Sequence, residues 1–224
     1  MLKKIGIIVP NDNNTVLEDL YLFLKEDFQL IPYKMIETNT KGYPENKKQL
    51  TEFINDLRVA GKYFKNSYVN SIVYGRGFGT YTRDGRALIK SVLSDYSKDI
   101  ILPTEILINK IHGGGANNIS LILPYTRDRA ENDINMFKEE NITIKSGLYL
   151  GENEGERIAK ISNKELSDKI FENMDNLTSS PYIVLQCTAL HTVELIENLK
   201  YDIPTKIISS NSVIKNYLMY EINF

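Results

Sequence analysis

Short apolar runs rich in β-branched residues recur along the chain. Between them lie stretches in which apolar positions return every three or four residues. The runs are "KKIGIIV", "FQLIPYK", "NSIVY", "DIIL", "NNISLIL", "NITIKSGLYL", "YIVLQ" and "TKIIS", and each predicts a strand. "NTVLEDLYLFLKE", "NKKQLTEFINDLRVAGKYF", "RDRAENDINMFKEE" and "TVELIENLK" carry the amphipathic spacing of helices. Strand alternating with helix from one end to the other predicts an α/β architecture of mostly parallel sheets covered on both faces. Such sheets bind ligands beyond the carboxyl ends of their strands, so the residues that follow each strand are the ones to inspect.

Those residues reveal an internal repeat. "IGIIVPND" matches "ISLILPYT" and sets Pro10 against Pro124, while "SIVYGRGFGTYT" matches "YIVLQCTALHTV" and sets Arg76 against Cys187. "ILPTEILINKI" matches "DIPTKIISSNSVI", setting Pro103 against Pro204, 101 residues apart. Three landmarks in one order predict two pseudo-twofold-related lobes, each a four-stranded parallel sheet flanked by helices, with the active site in the cleft between them. The expected division is residues 1–104 plus 209–224 for the first lobe and 105–208 for the second. Cys187 and Arg76 then occupy corresponding places on opposite walls.

Composition narrows the partners. With 42% apolar and 25% charged residues the chain has the balance of a globular protein able to bury a core. A net charge of -2 without a concentrated basic face argues against a nucleic-acid partner. The N-terminal "MLKKIGIIV" is cut off by "PNDNN" before it reaches signal-peptide length, and no window approaches the roughly 18 apolar residues of a membrane span. A single cysteine excludes an internal disulfide, so a cytoplasmic location is expected. His112 and His191 stand outside any HxxxH or CxxC spacing, and no protein-built metal site is expected.

Cys187 ends the strand "YIVLQ" and precedes the helix pattern "TALHTVELIENL", with Thr188 in position to cap it. A thiol at a helix N-terminus has its thiolate favoured by the unpaired N–H groups, so a lowered pKa is expected. A buried, inert packing cysteine is the alternative. "YGRGFGT" follows a strand and is glycine-rich, but Thr80 stands where a dinucleotide fingerprint needs its third glycine. Either Arg76 in this loop meets a substrate carboxylate beside Gly77 and Phe78, or the loop is a tight turn with Arg76 in solvent. Asn11, Asn13 and Asn14 follow the first strand, and Tyr125 and Thr126 follow its repeat partner. These are neutral donors suited to a carboxylate or enediolate, with helix capping by Asp12 or Asn14 as the plainer role. His191, four residues beyond Cys187, reads as a packed or capping residue.

Taken together, "GIIVPNDNNTV", "LILPYTRD", "GLYLGENEGERI", "LQCTALHTVELIENL" and "IPTKIISSNSVI" resemble the aspartate/glutamate racemase superfamily, and within it the branch of arylmalonate decarboxylase and maleate cis-trans isomerase. The resemblance spans nearly the whole chain. It implies two lobes with an active site between them and no cofactor. Members with two cysteines carry one on each lobe; here Cys187 matches the second, and the first falls at Arg76 or Gly77. Hydroxyl residues that hold the carboxylate in the decarboxylase fall near Gly77 and Phe78, which have none. By position, Asn13, Tyr125 and Asn153 match substrate-contacting places, and Thr188 follows the cysteine. The resemblance implies a cofactor-independent enzyme acting on a small carboxylate or dicarboxylate through an enediolate-like species, with Cys187 as proton donor. A malonate-type decarboxylase is the nearest reaction; a maleate-type isomerase, a racemase relative and a non-catalytic carboxylate binder are the alternatives. A homo-oligomer is compatible with these readings.

Racemisation by two bases needs a second proton-transfer group facing the first, and an arginine holds its proton too tightly to serve. Aspartate, glutamate and hydantoins are therefore expected to keep their optical rotation when incubated with the protein. Loss of rotation that disappears in Cys187→Ala contradicts the one-thiol argument.

Overall fold

All eight apolar runs are strands, and every pairing between them is parallel. The structure, a computed structural model, describes residues 2–36, 39 and 41–221. The first sheet contains β1 (Lys3–Pro10), β2 (Phe28–Met35), β3 (Ser71–Tyr74) and β4 (Asp99–Ile101) in the order β2-β1-β3-β4. The second contains β5 (Asn118–Leu123), β6 (Thr143–Tyr149), β7 (Tyr182–Leu185) and β8 (Lys206–Ser209) in the order β6-β5-β7-β8. The helices of the first half are α1 (Thr15–Leu24), α2 (Lys47–Asn66), α3 (Arg83–Leu93) and α4 (Pro103–Gly113). Those of the second are α5 (Glu131–Glu139), α6 (Gly155–Ile158), α7 (Asn163–Glu172), α8 (Met174–Leu177), α9 (Val193–Leu199) and α10 (Ser210–Asn216).

Position in the sheet explains the apolar patterns. Strands β3 and β7 are buried at every residue, as parallel strands covered on both faces must be. The edge strands β2 and β6 are mostly exposed or half-buried instead, β2 being buried only at its two ends. Pro32 lies in β2, where one side has no neighbouring strand to require its missing N–H. Helix starts follow local capping: the side chains of Asn46, Thr82 and Ser162 each accept a backbone N–H from the first turn of α2, α3 and α7. Among the described residues no helix is long and apolar enough to cross a membrane.

The two sheets repeat one register. Gly6 pairs with Ile72 in the first and Ser120 with Ile183 in the second, which reproduces the offsets of 120 - 6 = 114 and 183 - 72 = 111 read from the sequence. The match extends past the strands, since Gly75 N–H donates to the Ile8 carbonyl and Gln186 N–H to that of Ile122. The next residues, Arg76 and Cys187, are therefore equivalent. The third landmark was misaligned. Ile72 pairs with Ile100 and Ile183 with Ile207, a spacing of 207 - 100 = 107, so Pro103 opens α4 after its strand whereas Pro204 precedes β8. "IPT" fits either side of a strand, because proline suits both a helix start and a strand entry.

Two ionic networks, each centred on a largely buried carboxylate, tie the halves together. Asp19 on α1 accepts hydrogen bonds from Thr192 N at 3.0 Å, Val193 N at 3.3 Å and Asn211 Nδ2 at 2.9 Å, and meets His191 Nδ1 at 2.9 Å. Its carboxylate thus caps α9 from the opposite half. Glu140, after α5, pairs with Arg83 at 2.9 Å and with the buried Arg86 of α3.

Asp19→Ala leaves buried N–H donors without an acceptor and is expected to cost about 2–4 kcal/mol in urea unfolding. Asp19 raises the His191 pKa, so this pair stabilises fully below the ordinary histidine value and weakens as pH rises through the folded one. Asp19→Ala should lose that pH dependence; unchanged stability contradicts the cap.

Candidate active site

Residues following β1, β3, β5 and β7 converge on one cavity of about 430 Å³. Asp12, Gly77, Phe78, Tyr125, Cys187 and Thr188 line it, joined by Arg129 and by Lys41, Gly42 and Tyr43 from the segment before α2. This is the carboxyl-end location expected of parallel sheets, supplied by both halves at once.

Cys187 forms part of the wall and is 8% exposed. The Tyr125 hydroxyl lies 3.1 Å from Sγ, and the Ala189 N–H donates to Sγ at 3.4 Å. Both contacts favour the thiolate, but burial outweighs them and pushes the thiol up to about 11. The same burial carries the Tyr125 phenol well above its ordinary range. The expectation of a lowered pKa is therefore corrected. Residues 186–192 form a loop, α9 starts only at Val193, and the residue before it is Thr192 rather than Thr188. Cys187 gains nothing from the helix terminus, and at neutral pH it is a thiol. His191 lies in the same loop, turned to Asp19 and Glu18, and is absent from the cleft lining.

Arg76 is 2% exposed, so the solvent-turn alternative does not hold. Its guanidinium donates to the Met35 carbonyl at 3.1 Å and sits 5.5 Å from the Phe78 ring centroid. It borders a chamber of about 30 Å³ behind the main cavity, which it shares with Cys187, and is absent from the lining of the main one. Phe78 packs edge-on against Phe53 at 5.4 Å and is mostly core. At Gly77 a Cβ would lie 2.8 Å from the Tyr81 hydroxyl. That phenol thus occupies the space a residue-77 side chain would need.

The remaining candidates brace the walls. Asn13 accepts from Thr15 N at 2.7 Å, acting as the start-of-helix acceptor that Asp12 or Asn14 was expected to be, and donates to the Gly155 carbonyl at 3.1 Å. Asn153 Oδ1 accepts from Thr126 N at 3.1 Å and from Thr126 Oγ1 at 3.3 Å. Arg129 donates to the Asn153 carbonyl and lies 4.7 Å from the Tyr125 ring centroid. The structure thus brings Tyr125, Cys187, Thr188, Gly77 and Phe78 to the cavity, while Asn13, Thr126 and Asn153 are absent from its lining.

Sequence reasoning missed Tyr81, Arg129 and Asp133. Asp133 is 2% exposed on α5 and borders the rear chamber. Its signal was legible: it shares the buried face of α5 with Met136 and Phe137, at i+3 and i+4, where an apolar residue belongs. Tyr81 stands in a loop without periodicity, and Arg129 falls within the helical run read from residue 127 but ahead of the start of α5 at Glu131, so only the tertiary fold brings them in. Among the described residues no group of three or more His, Cys, Asp or Glu is placed to hold a metal.

This arrangement of strands and helices is one that solved structures share. Maleate cis-trans isomerase from Nocardia farcinica superposes with a TM-score of 0.80 at 15% identity, over 97% of this chain and 91% of that one. Maleate isomerase Iso from Pseudomonas putida S16 gives 0.79 at 17%, over 99% and 93%. A glycine-to-cysteine variant of arylmalonate decarboxylase gives 0.76 at 17%, over 94% and 89%. The chain has the fold of these decarboxylases and isomerases, the branch its motifs resemble. No family model matches the sequence, and no curated protein does either.

Alkylation of Cys187 by iodoacetamide is expected to be slow at neutral pH, with a midpoint near about 11. Tyr125→Phe removes a hydrogen bond that favours the thiolate and should move the midpoint higher. A midpoint at or below that of free cysteine contradicts the neutral thiol.

Proposed function

We propose that the chain is a cofactor-independent enzyme that decarboxylates a small substituted malonate, with Cys187 delivering the proton. The observation that carries this reading is the buried Cys187 Sγ, 3.1 Å from the Tyr125 hydroxyl in the wall of a cleft built by both sheets, where burial pushes the thiol up to about 11. A group that stays protonated at pH 7 is suited to donating a proton and poorly suited to nucleophilic attack. One carboxylate leaves as carbon dioxide, and its bonding pair remains on the substrate as an enediolate. The Tyr81 and Tyr125 hydroxyls line the space where that charge develops, and the Arg129 guanidinium faces the remaining carboxylate. Cys187 then protonates the α-carbon, and the thiolate left behind must regain a proton before the next turnover.

A maleate-type isomerase is the second reading, because two of the neighbours carry that activity in their names. One isomerase variant in this group is described with a covalently bound succinylcysteine. A cysteine adduct calls for an activated thiolate, which the environment of Cys187 opposes.

Substituted malonates are expected to release carbon dioxide with the parent protein and not with Cys187→Ala, while maleate is left unchanged. Arg129→Met should weaken malonate binding by about 1.5–3 kcal/mol through loss of a charge-assisted hydrogen bond. Formation of fumarate from maleate selects the isomerase, and full decarboxylation by Cys187→Ala removes the thiol from the mechanism.

A further inference from the structure

Beside Cys187 and Tyr125 a small chamber of about 30 Å³ is lined mainly by polar residues. A space of at least about 10–15 Å³ with two or more polar partners holds a water molecule. Asp133 borders it from α5, Gln186 and Ser210 from the β7 and β8 ends, Thr104 from α4, and Arg76 and Tyr81 from the β3–α3 loop. Ser210 Oγ donates to Gln186 Oε1 at 3.1 Å, which leaves the Gln186 amide N–H group for Asp133. Asp133 Oδ2 has no hydrogen-bond partner among the described residues, although the side chain is buried. A buried carboxyl oxygen without a donor is costly unless it is protonated or meets water. No feature of the catalytic step proposed above uses it.

We propose that Asp133 is a positioning residue for Cys187: through one water in this chamber it returns a proton to the sulfur after each turnover. The role rests on the reading of Cys187 as proton donor. The step balances simply. The enediolate carbon takes the Cys187 proton and leaves a thiolate. The chamber water gives a proton to sulfur as it receives one from the Asp133 carboxyl, and solvent later reprotonates the carboxylate. Burial raises Asp133 to about 7, against the hydrogen bond from Gln186 and the positive charge of Arg129, which both favour its ionised form. The carboxyl is thus a stronger acid than the Cys187 thiol, at about 11, and transfer runs downhill. The other groups facing it are Tyr125 and Tyr81, both phenols, and the Arg76 guanidinium across the chamber.

Infrared titration of the unliganded protein tests the geometry. A protonated-carboxyl band is expected below about pH 7, absent in Asp133→Asn and shifted in frequency in Cys187→Ala. A band that Cys187→Ala leaves unmoved overturns the water link. Steady-state kinetics with a substituted malonate test the role. Asp133→Asn should lower kcat at least tenfold, leave KM nearly unchanged, and lose a fall in kcat as pH rises through about 7. Parent turnover that Asp133→Asn does not diminish overturns the relay while leaving the decarboxylase standing. If instead the parent protein turns over no malonate, the function fails and the relay, which rests on it, fails with it. An unfolded Asp133→Asn protein leaves the infrared comparison of parent and Cys187→Ala to decide.

Discussion

The carboxylate of Asp19 sets the geometry on which the site depends. It lies on α1, in the half of the chain opposite Cys187, and gathers the loop of residues 187–192 by accepting from Thr192, Val193 and Asn211 and pairing with His191. A loop between a strand and a helix is ordinarily free to vary. This one is held at both ends, by β7 on one side and by a charge from the other half on the other. The thiol therefore stays against Tyr125 and the facing wall, instead of moving outward toward α9.

That placement explains why burial decides the chemistry. Two donors point at the sulfur, and each favours the thiolate, yet the loss of hydration outweighs them. The same desolvation acts on Asp133 and Tyr125, so three acidic groups within one enclosed region all hold their protons more firmly than in water. Such a site delivers protons. Arg76, the repeat equivalent of Cys187, contributes to the rear wall, where it ties the β3 loop to the end of β2 at Met35.

The central strands were legible because they are covered on both faces, and an apolar run such as Ile5–Val9, β-branched at all but Gly6, has few other uses. The repeat was legible in β1/β5 and β3/β7, where strand and following loop keep one spacing. It failed at β4/β8, where a proline at the start of α4 was matched to a proline ahead of β8. The cleft residues next to strand ends, Gly77, Tyr125 and Cys187, followed from the architecture. Their environments did not. Thr188 looks like a cap until Asp19, far away in sequence, supplies the cap at Thr192 and Val193. Tyr81 reaches the cavity from a loop with no pattern to mark it, and Arg129 from a turn that the sequence pattern runs into the helix. Asp133 was marked, as a carboxylate on an apolar helix face, and a reading alert to that mismatch finds it.

The central claim is that a single neutral thiol, fixed on one wall, delivers the proton. Decarboxylation of a prochiral substituted malonate in deuterium oxide measures this directly. The account predicts a product carrying one deuterium at the α-carbon in one configuration, with turnover lost in Cys187→Ala. A product with deuterium in equal amounts of both configurations, or one formed equally well without Cys187, contradicts it.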